Sequence, residues 1–172
     1  MLGERINTDR RKTYLNIKDG AVVKRTPDGE EEKFTYVDGR LEAISQKERT
    51  FRGEVVVYWY LDLRDTESGE LYSLGFPYGS NTFKSIILQL ASEDGLESVK
   101  NGSTIRIEPY NRNGFDKVQV WGDGVKLDWV VKQLPPIEGI TIGGRNVKDD
   151  SKRMALITSL TDRIANSLPQ AG

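Results

Sequence analysis

The chain of 172 residues contains no cysteine and no histidine. Without thiols there are no disulfides, no thiolate nucleophile and no cysteine-ligated zinc. Without imidazole, the side chain most used for general acid–base chemistry near neutral pH is missing. No apolar run approaches the roughly 18 residues that a membrane-spanning helix needs. The opening MLGERINTDRRK is polar and charged and has no apolar signal core, so retention in the cytosol is the expectation. Neither sign of charge dominates: 25 basic residues face 26 acidic ones, for a net charge of −1. A polyanionic partner would therefore have to meet a segregated basic patch. The glycines of GEVVVY, GDGVK and ITIGGRN lack phosphate-loop spacing, and no nucleophile motif stands out. The acids of TPDGEEEKF lack the alternation of a calcium loop and read as a solvated turn. Asp149 and Asp150 fall at a helix start, where the helix dipole accommodates them. The expectation is a protein that is not an enzyme and carries no cofactor or metal.

What is present is β periodicity. Hydrophobics make up 37% of the chain and charged residues 30%, enough apolar material for a buried core in one domain. Residues 1–12 read as a flexible arm. KTYLNIKDGAVVKR and KFTYVDGRLEAIS each place short apolar runs around an Asp-Gly pair (Asp19-Gly20 and Asp38-Gly39), which predicts two hairpins. After a loop, KERTFRG, the stretch EVVVYWYLDL alternates over residues 54–63. Val55, Val57, Trp59, Leu61 and Leu63 make one face, and Val56, Tyr58 and Tyr60 share the other with Glu54 and Asp62. A third strand follows at 71–78, with Tyr72, Leu74, Phe76 and Tyr78 on one face.

The period then changes. Phe83, Ile86, Ile87, Leu90 and Ala91 fall on one helical stripe, predicting a helix over about 82–92 capped by Ser80 or Asn81, with Gly95 beyond its end and Lys84 on its solvated side. Strands return in STIRIEPY, FDKVQVW and VKLDWVV, with Trp121 outward and Trp129 in the core. LPPIEGITIGG reads as a linker over 135–149, and a capped helix is expected over 150–169 with Met154, Ile157, Leu160, Ile164 and Leu168 as its stripe. Such a stripe needs a cover: the domain itself, or a second chain, which makes a homo-oligomer through the terminal helix one expectation. The domain proper is 13–134. The order of three strands, a helix and two strands is that of the five-stranded Greek-key OB barrel. The expected fold is thus mainly β: an OB-fold-like barrel with N-terminal β-hairpins and a C-terminal helix.

Such a barrel binds single strands on its second and third strands and in two loops. Those places hold Tyr58 and Tyr60 on the strand face; Lys47, Arg49, Phe51 and Arg52 in the first loop; and Tyr110, Arg112, Phe115 and Lys117 in the other. Tyr78 at the rim, Arg106 and Trp121 complete the set. Rings offer faces for bases and cations track phosphates; a stacked base contributes about 1–3 kcal/mol. Tyr58 and Tyr60 serve equally well as packing under the hairpins or the terminal helix, and Phe51 as a lid on the barrel.

The stretches EVVVYWYLDLRDTESGELYSLGFPYGS, FKSIILQLAS and STIRIEPYNRNGFDKVQVW resemble the small OB-fold single-stranded DNA-binding proteins of bacteriophages and mobile elements, over roughly half the chain. The resemblance implies a role in protecting or organising single strands during replication or recombination, in the cytoplasm of a bacterium or phage-infected host, without a membrane. The chain departs from that family in ending NSLPQAG, with no acidic tail, and in its near-neutral charge. The alternative expectation is a structural or assembly protein, such as a virion component, that uses barrel and helix for protein contacts.

Overall fold

The computed structural model of the chain describes residue 2, residues 12–136 and residues 138–169. The arm expected over 1–12 therefore lies outside the described residues, except for residue 2 and Lys12, which opens the first strand. The strands are β1 (Lys12–Lys18), β2 (Ala21–Arg25), β3 (Glu31–Phe34), β4 (Val37–Phe51), β5 (Glu54–Arg64) and β6 (Leu71–Pro77); two helices follow, α1 (Asn81–Leu90) and α2 (Glu93–Lys100). Then come β7 (Thr104–Arg112), β8 (Phe115–Gly122), β9 (Val125–Lys126), β10 (Glu138–Ile142), β11 (Arg145–Asp149) and α3 (Ser151–Asn166).

The first nine strands form one mixed sheet in the order β3-β2-β1-β6-β5-β4-β7-β8-β9, and β10 and β11 pair separately. Every pairing in the large sheet is antiparallel except that of β1 with β6. The sheet curls until the β1–β2 turn meets the far hairpin: the Gly20 amide donates to Asp116 Oδ1 at 2.6 Å. A Cβ on Gly20 would stand 2.8 Å from the Asn111 amide nitrogen, so this approach needs a glycine. The core fills the concave side. Trp59, Leu61, Leu63, Leu74, Phe76, Ile105, Ile107 and Val120 come from the sheet, and Phe83, Ile86, Ile87 and Leu90 from α1. Trp59 stacks on Phe83 with centroids 4.7 Å apart.

The fold is mainly β with a C-terminal helix, as expected, but it is not a closed barrel. Two local features occupy the edges that closure would join. β1 runs parallel along the free edge of β6. The edge of β8 is capped by a side chain: Gln89 on α1, only 2% exposed, accepts from the Val120 amide at 2.7 Å and donates to the Val118 carbonyl at 3.0 Å. A buried amide thus stands where a neighbouring strand would.

Several local expectations are corrected. Asp19-Gly20 does make a hairpin turn, but Asp38-Gly39 lies inside β4. Gly39 is needed there for close approach, since a Cβ would come 2.6 Å from the Arg64 carbonyl oxygen. KERTFRG is no loop: β4 continues to Phe51 and turns on Arg52-Gly53 alone. Phe51 is not a lid; it is exposed on that turn. Gly95 lies beyond the end of α1, as expected, but within a second helix, α2, where a Cβ would collide with the Gln89 and Leu90 carbonyls. The stretch expected as a linker over 135–149 carries the β10–β11 hairpin. Trp129 is exposed, because β9 ends at Lys126 and the chain leaves the sheet before reaching it.

Lys84 is buried rather than solvated, between α1 and the start of α3; burial lowers its pKa, with Asp150 opposing and Arg153 adding to the effect. The apolar stripe of α3 is covered within the chain, with Met154, Ile157, Leu160 and Ile164 buried and the helix packed on α1 and β4.

Candidate nucleic-acid interface

The convex side of β4, β5, β6 and β1 carries the densest mixture of rings and cations. Alternation and register dictate its composition. Tyr60 stands opposite Ser45 and Gly75, Tyr58 opposite Lys47 and Pro77, Val56 opposite Arg49, and Glu54 opposite Phe51. Gly75 lets the Tyr60 ring lie across the neighbouring strand, for a Cβ would be 3.1 Å from Tyr60 Cε1. Arg49 Nε donates to the Tyr60 hydroxyl at 2.9 Å, and its guanidinium carbon is 5.3 Å from the ring centroid. Lys47 Nζ is 5.7 Å from the same centroid. Tyr14 meets the ring edge-on at 6.2 Å, and Tyr58 lies at 6.4 Å. Tyr14, Asn16, Arg49, Tyr58, Tyr60 and Gly75 line a groove of about 300 Å³.

Within this groove the roles differ from the sequence reading. Tyr60 is 7% exposed, so it is a floor that positions Arg49 and not an open stacking face. The accessible rings are Tyr14, 51% exposed, and the half-buried Tyr58. Tyr14 escaped the sequence reading, although its alternation with Leu15 places it outward. What puts it beside Tyr60 is the parallel β1–β6 pairing between residues some sixty positions apart, which no local pattern announces. Below the groove, Lys12 holds the buried carboxylate of Asp62 at 3.0 Å.

The other expected residues separate into groups. Tyr110, Arg112, Phe115 and Lys117 are exposed at the outer end of the β7–β8 hairpin, Tyr110 opposite Lys117 and Arg112 opposite Phe115. Arg106 is committed locally: its guanidinium carbon lies 3.9 Å from the Tyr36 centroid and it pairs with Asp38 at 3.1 Å. Trp121 is half-buried opposite Arg106, and its indole N–H has no partner. Tyr78 stacks on Trp59 at 6.0 Å and lines a groove with Asp150 and Met154 of the α3 end, so it belongs to the opposite side of the sheet. Arg52 sits on the β4–β5 turn, 5.4 Å from the Phe51 centroid. Elsewhere Arg64 and Arg40 grip Glu42 and hold its carboxyl below the usual carboxylate range, Arg64 contributing most.

Among the described residues no group of three or more acidic side chains is arranged to hold a metal ion. No helix among them is long and apolar enough to cross a membrane. No family model, curated protein or solved structure matches this chain.

Proposed function

We propose that this chain is a non-catalytic binder of single-stranded nucleic acid, DNA in the first instance, serving to shelter or organise strands in replication or recombination. The observation that carries the reading is the groove itself. Two cations are held over a tyrosine floor, and Tyr14 and Tyr58 flank them. That supplies a phosphate contact and base-sized apolar faces within one nucleotide's reach. The sheet order supports it. The order β6-β5-β4-β7-β8, with the long β4 paired to both β5 and β7, is compatible with an OB-type module, and β1 pairs with the edge of β6.

The test is fluorescence anisotropy of a labelled thymidine 12-mer at low and moderate salt. Saturable binding that weakens with salt is expected. Arg49→Ala should make the log–log salt dependence shallower by about 0.7, the release expected from one single-strand phosphate contact. Tyr14→Ala should weaken binding roughly 5- to 100-fold with little change in melting temperature, since Tyr14 is half-exposed. Tyr60→Ala is unsuitable, because loss of a buried ring would unfold as well as unbind. A folded protein that gives no anisotropy change at low salt would sink the reading.

A further inference from the structure

At one end of the curled sheet lies a cavity of about 760 Å³ that the polynucleotide reading does not use. β2 and β7 both line it, although four strands separate them in the sheet, so the cavity is the mouth of the curl. The link between β3 and β4 and the turn between β5 and β6 complete its rim. Its floor is the end of the core, Leu15, Val22 and Val37, with Tyr72 packed beside them. Phe34 and Tyr36 stand at the rim, 45% and 43% exposed. Small-molecule sites are concave, measure about 300–1,000 Å³, have apolar floors and a few placed polar groups, and favour the mouths of barrels.

The walls select the charge of the occupant. Glu70 is fixed by one hydroxyl on each carboxylate oxygen: Thr13 Oγ1 donates to Oε1 at 2.8 Å, and the Tyr72 hydroxyl to Oε2 at 3.1 Å. Each oxygen keeps further acceptor capacity, and no cation among the described residues pairs with Glu70. Asp38, Asp65 and Glu67 also line the mouth, against Lys24 and Arg106. Arg106 is already held by Asp38 and the Tyr36 ring, which leaves three carboxylates facing Lys24. Their field reaches the floor: after burial, it is Glu70 and then Asp65 and Asp38 that push the Tyr72 hydroxyl up to about 12. Among the described residues the carboxylates do not converge on one point, as a metal ion requires. Spread around an apolar floor and beside two rings, they suit a bulky, weakly hydrated cation.

We propose that this mouth is a binding site for a small organic cation, an ammonium or guanidinium on an apolar body. The charged group sits against Glu70 beside the Tyr36 and Phe34 rings, and the body covers Leu15, Val22 and Val37. The site does not depend on the single-strand reading: of the residues that line the convex groove, only Leu15 also lines the mouth.

The test titrates the full chain, labelled with nitrogen-15, with benzylamine and with its uncharged counterpart benzyl alcohol, following amide resonances. Benzylamine should bind saturably, in the millimolar range or tighter, and shift the amides of Val37, Gly39 and Thr104 in the mouth while leaving Asn16 and Gly75 of the groove unmoved. Benzyl alcohol should bind at least tenfold more weakly. Glu70→Gln should weaken benzylamine about tenfold, through loss of a charged hydrogen-bond acceptor. Lys24→Met should tighten it a few-fold, because a like charge is removed from the wall. Lys24 is only half-buried, so this second variant keeps the test decisive should Glu70→Gln destabilise the domain. Affinity that ignores the charge of the ligand or of these side chains would overturn the proposal, as would shifts confined to the groove or no binding at all. None of these outcomes bears on thymidine binding, which is measured separately.

Discussion

Gln89→Leu probes the side chain that substitutes for a strand. The Gln89 amide accepts from Val120 N at 2.7 Å and from Gln119 Nε2 at 3.0 Å, and donates to the Val118 carbonyl at 3.0 Å and to Ser85. Val118 and Val120 are 5% and 0% exposed, so water has little access to the two backbone groups that leucine would orphan. Each buried unpaired group costs about 1–3 kcal/mol. Leucine returns some of this through apolar burial and a slightly better helix propensity. The net loss should be about 2–4 kcal/mol, which for a chain of this size lowers the melting temperature by roughly 5–15 °C. Urea denaturation followed by circular dichroism measures it, and an unchanged m-value would confirm that the same surface is exposed on unfolding. A loss under about 1 kcal/mol would refute the reasoning: β8 would then have water or a shifted partner at its edge, and the account of why the sheet stays open would fail with it. Gln119→Ala is the control. Gln119 is only half-buried and removes no backbone partner from the β8 amide, so it should cost less.

Two further outcomes follow from buried oddities. Lys84→Met should stabilise by about 1 kcal/mol, by removing a charge that burial disfavours. Because the folded-state pKa of Lys84 is lowered, the folded protein binds fewer protons between that value and the ordinary 10.5. Wild-type stability should therefore gain from Lys84 as pH rises through that window, and urea midpoints taken up to pH 10.5 should show the gain vanish in the methionine variant. Gly39→Ala should cost about 1–3 kcal/mol, since its Cβ would press on the Arg64 carbonyl and backbone cannot step aside as a side chain can. A midpoint unchanged from wild type would show that the β4–β5 pairing relaxes there.

Much of the candidate site was legible because strands announce their faces. The two-residue period of EVVVYWYLDL placed Tyr58 and Tyr60 together and Trp59 against the core, but QKERTFRG, read as a loop, is the end of β4, and it is strand pairing that sets Lys47 and Arg49 beside that face. The period could not say how deeply a ring is covered. Tyr60 is buried because Gly75, Tyr14 and Arg49 converge on it from three other strands, and none of these contacts is local. Glycine misled in both directions. Gly39 looks like a turn and serves close packing; Gly95 looks like a helix stop and lies within a second helix.

Composition and periodicity were enough to establish a chain without thiol or imidazole chemistry, its mainly β character, the positions of α1 and α3, and the hairpin at Asp19-Gly20, because each of these follows from local preference. Closure of the sheet depended on which edges find partners. The parallel docking of β1 on β6, the Gln89 amide on β8 and the meeting of Gly20 with Asp116 are long-range events. Their free energy comes from satisfying buried backbone groups that have no other partner, a demand that exists only once the core has collapsed around them.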